Sequence, residues 1–449
     1  MNEPSIIITP GSVSRRSFLR NTSTAAAGTA IFGSLAAERF AFGASNNDTL
    51  KVALVGCGGR GSGAANQALS TSNLGPVRLV AVCDVHEDKM QGALNNLQKT
   101  HGDHVDVPKE RQFLGFDSYK QAISTADVVI LATPPGFRPM QFEEAIKQGK
   151  HVFMEKPVAS DAPGVRKVLA AAEEAKKKGL KVGVGLQRHH QLGYIETIQK
   201  LHDGAIGDIT SARCYWNGSR PWQNKRADLD KQYGRKLTEM EYQLRNWYYF
   251  TWLSGDHIAE QHIHNLDVIN WVKKGHPVKA RAMGGREITN GPDDGEIYDH
   301  FACEFEYDDG SICYSYCRHQ PGTWNSVSEH ATGTKGKVDI GGHKIYGDNQ
   351  WRFKTEGAKD AYQQEHDDLF AAIRNNTEFN EAVMGAESTM TAILGRMAAY
   401  SGKELDWKAA LESKIDLLPE NLAWDAKPKI LPGADGFYPK AVPGKTEVL

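Results

Sequence analysis

From Thr49 onward the chain alternates between short, almost continuously apolar runs and longer segments in which apolar residues recur every three to four positions. LKVALVG and VRLVAVCD are of the first kind, and GSGAANQALSTS between them reads as a helix. The alternation continues through ADVVILATPP, FEEAIKQGKHVFMEKP, GVRKVLAAAEEAKKKG and KVGVGLQ. Strands apolar on both faces, separated by amphipathic helices, predict an α/β fold with a doubly wound parallel sheet. Beyond about residue 275 the period becomes two, in VKARAMGGREI, DHFACEFEYDDGSICYSYCRH, SVSEHATGTKGKVDIGG and HKIYGDNQWRFK. This predicts an open, mainly antiparallel sheet. Helical patterns return from Gln363 to Asn375 and from Ala386 to Gly402, before a tail rich in Pro and Gly.

A length of 449 residues suits two domains that each bury a core. The expected division is a dinucleotide-binding domain over 48–185, an α+β substrate domain over 186–417 and an extended strap over 418–449. Net charge is −2 and no long run of Lys or Arg occurs, which argues against a nucleic-acid partner and for a small molecule. At the N-terminus, SRRSFLR precedes a weakly apolar run rich in Ala, Gly and Thr. It resembles a twin-arginine export signal over residues 1–44, with Arg20 where Lys is more usual, and implies a periplasmic or otherwise exported protein. The run is too short and polar to span a membrane, and no membrane attachment of the mature chain is expected. Six cysteines occur without a C-x-x-C; Cys313 and Cys317, on one face of a strand, would stand about 13 Å apart, so reduced thiols are expected.

VALVGCGGRGSG places Gly56, Gly58 and Gly61 in G-x-G-x-x-G spacing between a strand and a helix. The three provide a tight turn, close approach to a pyrophosphate and helix–strand packing, and the helix N-terminus offers free N–H groups. Arg60 adds a candidate charged contact. Asp84, ending the second strand, can accept both ribose hydroxyls and would repel a 2′-phosphate, which favours NAD over NADP. Thr133 and Pro134 open a loop at the carboxyl edge of the sheet, where such folds bind ligands.

FMEKPVA, after ATPP and at the end of a strand, resembles the Gfo/Idh/MocA family of glucose-fructose oxidoreductase and inositol dehydrogenase. The likeness extends to LQRHH, GAIGDI, GTKGKVDI and ILGRMAAYSGKELDW. It implies an NAD(P)-dependent oxidoreductase acting on a hydroxyl of a sugar or cyclitol, with Glu155 and Lys156 beside the cofactor and Lys156 reaching the reacting oxygen. It also implies a dimer or tetramer, to which an open sheet lends a pairing face.

WLSGDHIAEQHIHNLDVINW, residues 252–271, concentrates three histidines and three carboxylates. As one helix it would put His257, Glu260, Gln261, His264 and Asp267 on one face, with His262 nearly opposite. Glu260 and His264 fall on the family's Asp and His positions, with Glu in place of Asp and His262 in place of a usual Gly. An imidazole suits removal of a hydroxyl proton as a hydride leaves carbon, so His264 is the candidate base. Glu260 would fix its tautomer or grip a neighbouring hydroxyl. A metal site at His257, Glu260 and His264 does not match H-E-x-x-H, and none is expected. Trp216, Trp222, Trp247, Tyr248, Tyr249 and Trp252, with Arg188 and Arg245, offer aromatic faces and donors to a carbohydrate. His257 and Asp267 join Arg188, Arg245 and Trp252 as expected substrate contacts.

Export adds a constraint. Little free NAD exists outside the cytosol, so the cofactor is expected to be tightly bound and regenerated in place. A ping-pong sugar oxidoreductase meets that condition. So does a redox-neutral NAD-dependent glycosidase working through transient C3 oxidation, while a non-catalytic carbohydrate-binding protein is the third reading.

Overall fold

The computed structural model describes residues 48–354, 357 and 359–449; the twin-arginine segment lies outside them. The first sheet is six-stranded and parallel, in the order β3-β2-β1-β4-β5-β6. Its elements are β1 (Leu50–Val55), α1 (Gly59–Leu69), β2 (Val77–Asp84), α2 (Glu87–His101), β3 (Gln112–Leu114), α3 (Ser118–Ser124), β4 (Val128–Leu131), α4 (Arg138–Lys147), β5 (His151–Met154), α5 (Ala162–Lys177) and β6 (Val182–Val184). Alternation within β1 shows why both faces must be covered. Val52 and Leu54 pack toward α1 and α2, while Ala53 and Val55 face the core shared with α3, α4 and α5. Strand order reverses between β1 and β4, where loops diverge and a ligand crevice opens.

The chain continues through α6 (Leu192–His202), β7 (Ile209–Gly218), α7 (Arg226–Tyr233), α8 (Glu239–Arg245), α9 (Thr251–Ser254), α10 (His257–Glu260) and α11 (Ile263–Lys273). Then follow β8 (Lys279–Gly285), β9 (His300–Glu306), β10 (Ile312–His319), β11 (Ser326–Gly333), β12 (Gly336–Asp339), β13 (Lys344–Gly347) and β14 (Trp351–Arg352). Finally come α12 (Ala361–Asn375), α13 (Ala382–Ser401), β15 (Leu405–Asp406) and α14 (Trp407–Leu411). The nine-stranded second sheet is antiparallel except where β7 runs parallel to β10. Phe301, Cys303 and Phe305 point inward, and Tyr314 and Tyr316 point outward. All six cysteines are free and buried.

The packing adds two features to the expected domain division. The boundary at 185/186 is crossed by one continuous apolar core, running from β1 and α5 through α11 and α13 to the second sheet. Helix α12, expected in the second domain, instead covers the first sheet: Leu369, Phe370 and Ile373 pack with Val52 and Leu54. The outer face beside α1 needs an apolar cover, and the chain returns to supply it.

Candidate active site

A cavity of about 880 Å³ lies along the carboxyl edge of the first sheet. At one end stands the glycine turn. Gly56 has φ +93°, and a Cβ there would lie 2.5 Å from Thr133 N. A Cβ on Gly61 would meet Gly56 O at 2.0 Å, whereas one on Gly58 would meet nothing within 4 Å among the described residues. So the first and third glycines serve packing, and the second, which lines the cavity, keeps space clear for a ligand. Asp84 accepts from Cys57 N at 2.7 Å and His86 N at 2.8 Å. Burial raises its pKa and these bonds oppose the rise, so the carboxylate is held rigidly at the cavity wall. Free space at Gly58, the start of α1 and the fixed Asp84 together fit a dinucleotide.

Thr133, Pro134 and Glu155 line the same cavity. Thr133 Oγ1 donates to Gln141 Oε1 at 2.6 Å, and its carbonyl accepts from Arg138 Nη2. Arg138, which the motif reading missed, also donates to Pro157 O and ties together the loops after β4 and β5. Arg60 is not left free for a phosphate. It donates to Glu155 Oε1 at 2.5 Å and lies 4.7 Å from the Tyr362 ring. Tyr362 comes from α12 and had no nearby sequence signal.

At the other end Lys156 Nζ donates to Glu260 O at 2.5 Å and to Glu260 Oε1 at 3.2 Å; both side chains are 11% exposed. Burial raises the Glu260 pKa against the opposing Lys156 charge, and Glu260 Oε2 is buried without a partner among the described residues. His264 lines the cavity with its ring stacked on Trp216, centroids 6.0 Å apart. Burial, reinforced by Lys156, Arg188 and Arg60, holds its pKa well below the ordinary value, so the ring is neutral. Its Nδ1 also lacks a partner among the described residues. Unspent acceptor capacity in a buried site is costly unless something binds there.

The expected single helix over 252–271 is broken twice. Gly255 (φ +78°) ends α9, and Asp256 (φ +72°) starts α10, accepting from Tyr400 Oη at 2.6 Å and Tyr298 N at 3.0 Å. The Ser-Gly-Asp triplet is a helix stop followed by an N-cap, and that signal was available in the sequence. A second turn at Gln261–His262 precedes α11. Consequently Glu260 bonds to Lys156, not His264, and does not fix the imidazole tautomer. His257 leaves the expected face: it is fully buried 4.5 Å from His319 and 5.1 Å from Phe301, ring centre to ring centre. Asp267 is likewise internal, joining His189 Nε2 at 2.9 Å to Ser388 Oγ at 2.8 Å. His262 bonds Ser315 Oγ at 2.7 Å beneath the second sheet. Trp252 is 2% exposed, its Nε1 donating to Gln243 at 2.7 Å. None of these four lines the cavity.

Arg188 lines it but is engaged, donating to His264 O at 2.8 Å and to Glu329. Arg245 lies at the nucleotide end, not the chemical end, paired with Asp88 four residues beyond Asp84. Trp216, Trp222 and Trp247 do reach the cavity, together with Gln261 and Gln187. Among the described residues no group of three His, Cys, Asp or Glu is arranged to hold a metal.

Residues 50–185 match the oxidoreductase family, NAD-binding Rossmann fold, and residues 194–339 match the GFO/IDH/MocA C-terminal domain. Together these exceed half the chain. The 2,7-anhydro-N-acetylneuraminate hydratase of Escherichia coli (strain K12) is 25% identical over 336 residues, 72% of this chain and 78% of the relative. A glycosyl hydrolase family 109 protein of Shewanella baltica is 26% identical over 185 residues, 40% of this chain and 38% of its own length. The aldose-aldose oxidoreductase from Caulobacter crescentus, complexed with glycerol, shares the fold with a TM-score of 0.62 and 18% identity, over 80% of this chain and 100% of that one. The chain belongs to the Gfo/Idh/MocA family of NAD-binding oxidoreductases.

Proposed function

We propose that this Gfo/Idh/MocA oxidoreductase acts on a hydroxyl of a sugar, sugar derivative or cyclitol, using NAD that stays bound and is recycled in place. The observation that carries this reading is the convergence of Lys156, Glu260 and His264 on the cavity that holds Gly58 and Asp84. Bound NAD supplies the hydride acceptor. Removing a hydride from a carbinol carbon also requires the hydroxyl proton to leave. Neutral His264 is the group that takes it, and its low pKa makes it a weak base. Lys156 must therefore stabilise the negative charge developing on oxygen, while Glu260 holds the Lys156 ammonium in place. Trp216, stacked on His264, gives the sugar ring an apolar face to lie against.

A second reading is redox-neutral glycoside hydrolysis through transient C3 oxidation. Likeness to a glycosyl hydrolase family 109 protein and to a hydratase supports it, since neither name describes net oxidation. The proposal includes export by the twin-arginine route, supported by Arg15 and Arg16. It also includes a homo-oligomer paired through the outer face of the second sheet, where Met283, Tyr314 and Tyr316 are exposed.

The test uses protein purified without added nucleotide. Sugars and glycosides are added while absorbance is followed in the reduced-nicotinamide band, and the nucleotide released on denaturation is identified. Reduction that persists until a carbonyl acceptor arrives supports the ping-pong oxidoreductase; aglycone release with little net reduction supports the second reading. Absence of bound nucleotide would sink the resident-cofactor proposal. Lys156→Ala is expected to lower turnover about 10²–10³-fold while sugar binding persists. Unchanged turnover would remove Lys156 from the reaction, whereas sugar binding with no turnover by the unmodified protein would leave only a carbohydrate-binding role.

A further inference from the structure

The glycine turn and Asp84 form one wall at the nucleotide end. Residues from the other half of the chain form the opposite wall. Helices α7 and α8 bring Leu229, Tyr233, Leu244 and Arg245 onto the cavity. Arg245 donates through Nη1 to Asp88 Oδ2 at 2.8 Å and through Nη2 to Asp88 Oδ1 at 2.6 Å, linking α8 to the start of α2. Asp88 is 54% exposed, so water weakens this pair and it cannot hold a wall alone.

The C-terminal strap provides the remaining attachment. Trp424 lies with its ring centre 5.5 Å from that of His86 and 5.0 Å from that of Phe116, both on the first-sheet side. Its carbonyl accepts from Thr238 Oγ1 at 2.6 Å, and Thr238 caps α8 in a capping box with Glu241. Further along, Ile430 O accepts from Gln243 Nε2 at 2.8 Å. The Tyr438 ring packs edge-on to Phe250 at 4.9 Å, and its hydroxyl accepts from Arg226 at 2.7 Å. Ser413 Oγ donates to Val448 O at 2.9 Å, so the strap ends beside its own start and closes a loop over α8. Leu417, Leu422 and Ile430 join Met240 and Leu244 in a separate apolar cluster that also takes in Val85 and Phe116. A second hollow of about 460 Å³, lined by Trp424, shares Val85, His86, Asp88, Gln232, Tyr233 and Arg245 with the main cavity.

We propose that α7, α8 and Trp424 form the outer wall of the site for the adenosine half of the dinucleotide and make that dinucleotide captive. This rests on the NAD reading above. Exchange then requires the Arg245–Asp88 contact and the Trp424 packing to open together, so the exit rate scales with the small population in which both are open. The wall holds the nucleotide end and leaves the chemical end open to substrate.

The test measures exchange of bound NAD for an excess of a fluorescent etheno-adenine analogue in the full-length protein, separated by gel filtration. Slow exchange is expected for the unmodified protein. Trp424→Ala should accelerate it about tenfold or more, equivalent to roughly 1.4 kcal/mol, Asp88→Asn by a smaller factor of about two- to fivefold, and Trp424→Phe should restore most of the retention. Thermal unfolding of each variant shows whether it has folded, and Asp88→Asn, at an exposed position, provides an independent reading if Trp424→Ala does not. Exchange within the mixing time for the unmodified protein, or folded variants that exchange at its rate, would overturn the wall while leaving the NAD reading intact. Absence of nucleotide from the denatured protein, together with failure of that empty protein to bind NAD by calorimetry, would overturn the NAD reading, and the proposal with it.

Discussion

The two ends of the cavity treat their carboxylates in opposite ways, although the nucleotide end also keeps one buried nitrogen, His86 Nε2, with no partner among the described residues. At the nucleotide end Asp84 is held by two backbone N–H groups, and Arg60 by Glu155. At the chemical end Glu260 Oε2 and His264 Nδ1 are buried without partners among the described residues. A recognition surface works best when it is rigid before the ligand arrives, so its groups are already bonded to protein. A reacting site needs acceptors that the substrate itself will satisfy, and leaving them open costs stability. The Lys156–Glu260 pair shows the compromise: its ionic partners are matched, yet one carboxylate oxygen is left over.

The largest effect that tests this contrast is at His264. His264→Ala is expected to reduce turnover about 10²–10⁴-fold while bound NAD, assayed after denaturation, stays near one per chain. Parallel loss of nucleotide would show that the two ends are not separable. The glycines come next. Gly61→Ala forces a Cβ against Gly56 O, at 2.0 Å before any relaxation, and is expected to destabilise the protein by about 1–3 kcal/mol in denaturant unfolding. Gly58→Ala meets nothing within 4 Å among the described residues and should leave unfolding unchanged while lowering the NAD retained on purification, assayed after denaturation. Equal destabilisation by both would contradict the division of roles.

The smallest effect concerns pH. Burial lowers His86 and His319 to about 4 and His366 to about 3, from an ordinary 6.5. Below pH 6.5 the unfolded chain takes up protons that the folded chain refuses, so stability falls with falling pH, by at most about 1.4 kcal/mol per histidine per unit. His190 has the opposite sign. Burial opposes its charge, but the hydrogen bonds its ring donates to Asp368 and Glu381 raise it to about 10, so its contribution is present below 6.5 and lost as pH rises toward 10. Denaturant midpoints between pH 4 and 10 should therefore fall at both extremes, and a flat profile below pH 6.5 would refute the buried neutral histidines.

Legibility followed how local each feature is. The first sheet was readable because strands buried on both faces must be apolar throughout, and the glycine turn because all three glycines act within six residues of one another. Stretch 252–271 was misread because a helical wheel assumes one continuous helix. Once Asp256 restarts the chain, His257 turns inward to His319, and Asp267 faces His189 and Ser388. Arg245 looked like a sugar ligand beside its tryptophans, but its partner, Asp88, is 157 residues away. Arg138 and Tyr362 gave no signal, since neither lies in a motif.

By itself the sequence determined the parallel sheet, the phosphate turn and Asp84, because short-range backbone sterics and strand burial dictate which residue types stand there, while Lys156 was legible through the resemblance of FMEKPVA to its family. Only the tertiary structure decided which oxygen of Glu260 meets Lys156, which histidine reaches the cavity, and that a strap ending the chain closes over the first sheet's nucleotide edge. Those outcomes depend on contacts between residues about 100 to 340 positions apart, and no periodicity in a linear pattern specifies which such partners meet.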